Sequence, residues 1–198
     1  MKGLILFATA VTLLSANPIA NASDCKYEKN EIDLFTKERL VTTEWAGFAS
    51  FYNLGPEAIF ASISAIKEGT QDYLALRVQI TVTLGYDLDD DDLRAFLLFP
   101  EGANLLVLMA DGSTVNLHAQ KEITATTRST AVHSKKNAGA PYKIRYAVKS
   151  NAIVRYALDA DTSAALRDQE STHVRMSTTD KDYEFSVHGH IRRAISCL

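Results

Sequence analysis

Two histidines near the end of the chain stand where they can meet across a hairpin. Apolar and polar residues alternate over 173–178 and again over 183–188, which predicts two strands joined by a short connection. In the register that matches their apolar faces, His173 lies directly opposite His188 on the outer side. Directly opposed Cβ atoms are about 5 Å apart. Two imidazoles at that spacing can share a borderline metal such as Zn²⁺.

His190 can add a third nitrogen to this pair if Gly189 keeps the strand extended. His173, His188 and His190 are therefore the candidate metal ligands, and zinc is the candidate cofactor. The function they would carry is that of a metal-binding protein or a metal-dependent hydrolase. No cysteine or carboxylate is placed to complete four ligands, so the alternative is a solvent-exposed pair with His190 starting a helix and no cofactor.

A second cluster is aromatic and lies around Gly47. It contains four rings, namely Trp45, Phe48, Phe51 and Tyr52. Exposed aromatic rings serve exported binding proteins as platforms for sugars or apolar ligands, because a flat ring buries a large area at low entropic cost. The alternative is that these rings pack in the core, as large aromatic side chains often do.

Other residue patterns carry little chemistry. The acidic run over 87–92 offers oxygen ligands for Ca²⁺, but Asp92 and Leu98 stand where an EF-hand needs Gly and Glu. Common motifs for nucleotide binding, zinc proteolysis and serine hydrolysis are missing. The chain has a formal net charge of -3 and lacks the basic excess of a nucleic-acid binder. These features favour a non-catalytic protein.

The two cysteines, Cys25 and Cys197, are predicted to form one disulfide, because two lone thiols in an oxidising compartment are most simply partners. Residues 1–22 read as a secretory signal peptide, with Lys2, an apolar stretch too short to span a bilayer, and Ala-Asn-Ala ending at Ala22. The expected protein is periplasmic or secreted, without a stable membrane anchor after cleavage.

The remaining chain, 23–198, is predicted to be one β-rich domain. Alternation is clearest over 74–84 and over 142–158, and Asp111-Gly112 predicts a hairpin with a type I′ turn. Residues 58–66 favour a strand, although a helix after Pro56 remains an alternative. Two short helices are expected near the C-terminus, one capped by Asp159 or Asp161 and one carrying the stripe Ile191, Ala194, Ile195 and Leu198. The predicted fold class is a mainly β, antiparallel sandwich or strongly bent sheet.

The start of this domain, Cys-x-Tyr-x-x-Asn-Glu-Ile-Asp-x-Phe-Thr over 25–36, resembles that of a group of uncharacterised exported bacterial proteins. The closing pattern of a helix, a strand, Phe185, a short helix and Cys197-Leu198 is similar as well. The resemblance implies no activity, cofactor or catalytic residue. The sequence therefore predicts an exported binding or interaction module whose ligand or protein partner is unknown.

Overall fold

The architecture is taken from a computed structural model, which describes residues 25–52, 57–84, 98–133, 144–179 and 182–198. The predicted signal peptide, the acidic run over 87–92 and most of the 133–141 loop lie outside these residues. Thirteen strands and two helices are described. The strands are β1 (Tyr27–Ile32), β2 (Arg39–Thr43), β3 (Ala46–Tyr52), β4 (Glu57–Glu68), β5 (Gln71–Leu84), β6 (Leu98–Phe99), β7 (Asn104–Met109), β8 (Thr114–His118), β9 (Ile123–Thr124), β10 (Thr126–His133), β11 (Ile144–Leu158), β12 (Ser171–Ser177) and β13 (Asp182–Ser186). The helices are α1 (Ala160–Asp168) and α2 (His190–Ile195).

The described strands form two antiparallel sheets and one small ladder. The larger sheet has the order β1-β2-β4-β5-β11-β10, with β3 also paired to β4. The second sheet has the order β13-β12-β7-β8, and β6 pairs with β9. This confirms the mainly β, antiparallel fold class, with two short helices among the described residues. Residues 58–66 are part of β4, so the prediction of a strand there is correct.

One hydrophobic core joins the two sheets. Alternate side chains of β5, including Leu74, Leu76 and Val78, are fully buried, and Leu105 and Val107 of β7 belong to the same buried cluster. The period of two puts every second side chain on the inner face of its sheet, and the two inner faces pack on each other as in a sandwich.

The helices close the ends of this core. Asp159 caps α1 by accepting a hydrogen bond from the Thr162 amide at 2.7 Å. In α2, Ile191, Ala194 and Ile195 are buried as the stripe predicts. These two predictions are confirmed.

The β7–β8 hairpin is present, but its turn differs from the predicted type I′. Of its two central residues only Gly112 has a positive φ, at 86°, whereas a type I′ turn needs both. The Asp111 carboxylate instead accepts hydrogen bonds from the amide and hydroxyl of Ser113 at 2.9 and 2.6 Å. The Met109 amide donates to the Ser113 carbonyl at 2.9 Å, which leaves a three-residue loop with a left-handed glycine.

Candidate functional site

The β12–β13 hairpin has a register two residues away from the predicted one. His173 lies opposite Ser186, and Val174 lies opposite Phe185. A slip of two keeps the same side chains on the inner face, so the apolar faces match as predicted. The direct opposition of His173 and His188 is wrong, because β13 ends at Ser186 and His188 falls in the following turn with a φ of 36°.

The three candidate metal ligands therefore do not lie on two facing strands as predicted. His190 is the first residue of α2 and follows Gly189, whose φ is 75°, so the strand does not continue through it. His173 is exposed on the outer face of the second sheet. Within the described parts of the chain, no three His, Cys, Asp or Glu side chains are grouped so as to hold a metal ion.

His173 lines an open groove on that outer face. The groove has a volume of about 360 Å³, and Leu106, Leu108 and Val174 form much of its wall. Arg175 and Glu184, which face each other across β12 and β13, form an ion pair at its edge. The arginine of this groove is therefore already neutralised by a carboxylate.

The aromatic candidates lie on β3, except Trp45, which directly precedes it. Trp45 is half-buried, and its Nε1 donates a hydrogen bond to Glu28 Oε2 at 2.6 Å. Phe48 is also half-buried and makes an edge-to-face contact with Phe185, with ring centroids 5.9 Å apart. The side chains of Phe51 and Tyr52, which are residues of β3, lie outside the described part of the structure. Phe48 thus packs partly against the core, whereas Trp45 lines a pocket at the surface.

His190 and the two described aromatic candidates meet in one region. A cavity of about 170 Å³ is lined by Trp45, His190 and Arg193, and a second one of about 550 Å³ is lined by Phe48, Arg77 and His190. The two cavities share His190 as a wall, and we call them together the His190 cleft. Small-ligand pockets typically have volumes of about 300–1,000 Å³, so the cleft has room for a small molecule.

The short helix α2 positions one wall of this cleft. Its buried face anchors it to the core, and the disulfide between Cys25 and Cys197 ties its end to the start of β1, with Cα atoms 5.6 Å apart. The Tyr27 hydroxyl also donates to the Cys197 carbonyl at 3.2 Å. The predicted disulfide is confirmed. It fits an oxidising compartment.

The cleft carries more positive than negative charge. Lys26, Arg77, Arg193 and Glu44 line it, and the Lys26 ammonium is 3.8 Å from the Glu44 carboxylate. Arg77 and Arg193 have no carboxylate within ion-pair distance among the described residues. The guanidinium carbon of Arg77 instead lies 4.0 Å from the centroid of the Trp45 ring. Two cationic groups therefore remain available to an anion.

His190 is held in its neutral form by its surroundings. Partial burial lowers its pKa below the usual value, and the positive charges of Arg193 and His188 lower it further. Its Nδ1 atom is buried and has no hydrogen-bond partner in the structure. Another part of the His190 side chain lines the cleft, whereas this buried atom has no partner among the described residues.

Sequence reasoning found three of these residues and missed the arginines. Alternation placed Arg77 on the polar face of its strand, but did not reveal that Trp45 would lie beside it. The apolar stripe of α2 predicts which face of the helix is buried and gives no sign of what Arg193 contacts. The sequence contains one tryptophan and several arginines. Their presence alone does not show which arginine lies beside the ring.

Comparison with known proteins gave no match: no family model, no curated protein and no solved structure is detectably similar to this chain. Among the described residues, no helix is both long and apolar enough to cross a membrane.

Proposed function

We propose that this protein is an exported, non-catalytic binding module that holds a small anionic ligand in the His190 cleft. One observation carries the proposal: Arg77 and Arg193 lie in a cleft with aromatic walls and have no described carboxylate partner. By contrast, Arg175 in the neighbouring groove is neutralised by Glu184.

The charge of the cleft favours a carboxylate-bearing ligand. A guanidinium presents N–H donors in a rigid plane that matches both oxygens of a carboxylate. Because Arg77 lies over the Trp45 ring, the aromatic face restricts its orientation and leaves the edge donors free. A fixed donor loses less conformational entropy on binding than a mobile one.

The walls favour a ligand that also has a flat or apolar side. Trp45 and Phe48 are half-buried, so each offers part of its surface to the cleft without a large cost of exposing it. Aromatic rings pack well on the apolar faces of sugar or aromatic rings. The ligand class that combines both features is an acidic sugar, such as a uronic acid.

His190 makes the proposed binding depend on pH. Burial, Arg193 and His188 lower its pKa, which favours the neutral form. On acidification it gains a positive charge beside Lys26, Arg77 and the same neighbours, with Glu44 as the only carboxylate in the described cleft lining. Affinity for the anion is therefore expected to rise as acidification protonates His190.

The test is a titration that uses the intrinsic fluorescence of Trp45, the single tryptophan of the chain. Glucuronate is added to the disulfide-bonded protein at low ionic strength, with glucose as the neutral comparison and calorimetry as the second readout. Saturable binding of glucuronate, with little binding of glucose, is the expected result. Arg77→Gln should weaken it about tenfold or more, because a charge-assisted hydrogen bond contributes about 1.5–3 kcal/mol.

A matched control is Arg128→Gln, which removes an exposed arginine of β10 from the other edge of the large sheet. Gly47→Leu gives an independent test, because a Cβ at Gly47 meets nothing within 4 Å and the added side chain would fill the cleft. Equal affinity of the wild-type, Arg77→Gln and Gly47→Leu proteins, or equal binding of glucose, would refute the proposal.

The cellular setting belongs to the same proposal. The disulfide between Cys25 and Cys197 supports export to the periplasm or the medium, and the composition of the chain does not suit a nucleic-acid partner. Intact-mass analysis of exported protein tests this point, since a chain that begins at Ser23 is expected. A mass that includes residues 1–22 would contradict it.

A metal-binding role for His188 and His190 is the second candidate. It is favoured by the Nδ1 of His190, which has no partner among the described residues, and by the nearness of His188, whose positive charge lowers the pKa of His190. His173 lies on β12, so it would have to move toward His188 and His190 to act as a third ligand. Calorimetry with ZnCl₂ at pH 7.5 on tag-free protein should show binding that is lost in His190→Gln, and no measurable heat of binding would reject it.

A further inference from the structure

The hairpin formed by β1 and β2 exposes apolar side chains at its tip. All residues over 26–39 are exposed. Three apolar residues lie next to each other at the end, with exposed fractions of 62% for Ile32, 77% for Leu34 and 95% for Phe35. Exposed apolar side chains grouped in this way mark interaction sites in soluble proteins.

The tip is ordered by its own hydrogen bonds. Asp33 Oδ1 accepts from the amides of Phe35 and Thr36 at 2.8 Å each. The Asp33 amide donates to the Glu38 carbonyl at 2.8 Å, and the Lys37 amide donates to the Asp33 carbonyl at 2.9 Å. Leu34 and Phe35 are thus displayed on a rigid turn, so little entropy is lost when they bind.

These hydrogen bonds also lower the free-energy cost of moving the tip from water to a less polar environment. The Glu38 amide donates to Thr36 Oγ1 at 3.3 Å, so the amides of five tip residues are satisfied internally: Asp33, Phe35, Thr36, Lys37 and Glu38. An unsatisfied amide costs several kcal/mol in hydrocarbon. Pairing of these five amides avoids their share of that cost, and the Leu34 amide is the one amide over 33–38 for which no hydrogen bond is described.

We propose that this tip inserts Leu34 and Phe35 into the interfacial region of a phospholipid bilayer. A tip with three exposed apolar side chains offers a protein partner little apolar area, and its paired amides offer few donors to a neighbouring chain. A lipid surface needs neither. The contact is shallow and reversible, because only two or three side chains enter the membrane.

The charges around the tip determine which lipids it prefers. Residues 29–39 contain three basic and three acidic side chains. Lys29 pairs with Glu31 at 2.6 Å, and the Arg39 side chain donates to Asn30 Oδ1 at 3.2 Å. With no net charge, the tip should bind zwitterionic and anionic bilayers equally, and added salt should have little effect.

The experiment is flotation of the disulfide-bonded protein with phosphatidylcholine vesicles. We expect a measurable bound fraction for the wild-type protein. The partition coefficient of Leu34→Ser/Phe35→Ser should be lower by about tenfold or more. Leu108→Ser and Ile153→Ser are the matched controls, because these side chains are also exposed, at 37% and 43%, but lie on other strands. They should float like the wild-type protein.

A second measurement places the tip in the lipid directly. Phe35→Trp adds a tryptophan at a position that is 95% exposed, so it should not disturb folding. Vesicles should shift its emission to the blue, and brominated lipids should quench it, whereas Trp45 of the wild-type protein should not respond. If no protein floats, or if the double variant floats like the wild-type protein, the proposal is wrong. A wild-type dimer in sedimentation that Leu34→Ser/Phe35→Ser converts to monomer, without vesicle binding, would overturn it in favour of a second copy.

Discussion

Removal of the disulfide is expected to be among the most destabilising changes that leave the core intact. The perturbation is Cys25→Ser together with Cys197→Ser, which conserves side-chain size. The two cysteines are 172 residues apart, so the bond closes almost the whole domain into one loop. The chain-entropy model gives about 5 kcal/mol for a loop of this length, and native disulfides contribute about 2–5 kcal/mol in practice.

The folded structure indicates why most of this effect should arise in the unfolded chain. Ile191 and Ile195 of α2 are fully buried, so that helix remains docked when the bond is removed. Strand β1 is exposed at every residue, so its loss of a fixed base costs little buried area. The stability change should therefore approach the entropic value, and the m-value should rise because the unfolded chain expands.

The assay is urea unfolding followed by circular dichroism at 25 °C and pH 7.5. A fall of about 2–5 kcal/mol in the free energy of unfolding is expected, together with a decrease in Tm of about 2–4 °C per kcal/mol. Wild-type protein with reductant is the control, and it should match the double variant. A fall of less than about 1 kcal/mol with an unchanged m-value would refute the reasoning, since the loop-closure account requires both effects.

Three further predictions concern stability at single residues. Thr43→Val should lower the free energy of unfolding by about 1–3 kcal/mol in urea unfolding, because the buried Ala65 amide loses its 2.9 Å hydrogen bond to Thr43 Oγ1. Gly112→Ala should cost about 1–2 kcal/mol because its φ is +86°, whereas Gly47→Ala, without a positive φ or a close neighbour, should be neutral or stabilising in the same assay; equal losses would contradict this. The pKa of His190 is lowered in the folded state, so the unfolded chain binds the proton more readily, and stability should fall as the pH drops below about 6.5. His190→Asn should reduce that fall in unfolding measured at pH 7.5 and 5.5, and an unchanged pH dependence would contradict the assignment.

The sequence predicted the strands and the disulfide because each depends on a short-range or categorical signal. The alternation over 74–84 requires one buried face, whatever the partner strands are. Two cysteines leave one possible intramolecular pair. The cap at Asp159 likewise depends on a contact only three residues away, with Thr162.

The histidine register failed for a physical reason that applies to any hairpin. A slip of two residues preserves which side chains face the core, so apolar matching cannot distinguish His173 opposite His188 from His173 opposite Ser186. The choice depends on the connection between the strands. Ser177 pairs with Asp182, so the connection in the structure has four residues.

The His190 cleft could not be predicted because it depends on contacts between distant segments. Arg77 lies beside Trp45 because β4 pairs with both β3 and β5 in the folded sheet. His190 reaches the cleft because α2 is docked on the core and tied to Cys25. Residues that are ordinary in sequence, such as a polar-face arginine, acquire a role from this geometry. The aromatic and histidine clusters therefore looked like two independent candidates.

The same disulfide joins the cleft to the hairpin formed by β1 and β2. Cys197 lines the cleft, and Cys25 lies two residues before β1. The Tyr27 hydroxyl of β1 donates a hydrogen bond to the Cys197 carbonyl. The two proposed surfaces are nevertheless chemically separate, since the cleft is cationic and the tip is apolar with balanced charge. Arg77→Gln should therefore affect only glucuronate binding, and Leu34→Ser/Phe35→Ser should affect only vesicle binding. Loss of the disulfide is expected to weaken vesicle binding, because it releases the base of the hairpin, and to leave glucuronate binding largely intact, because α2 stays docked through the buried Ile191 and Ile195.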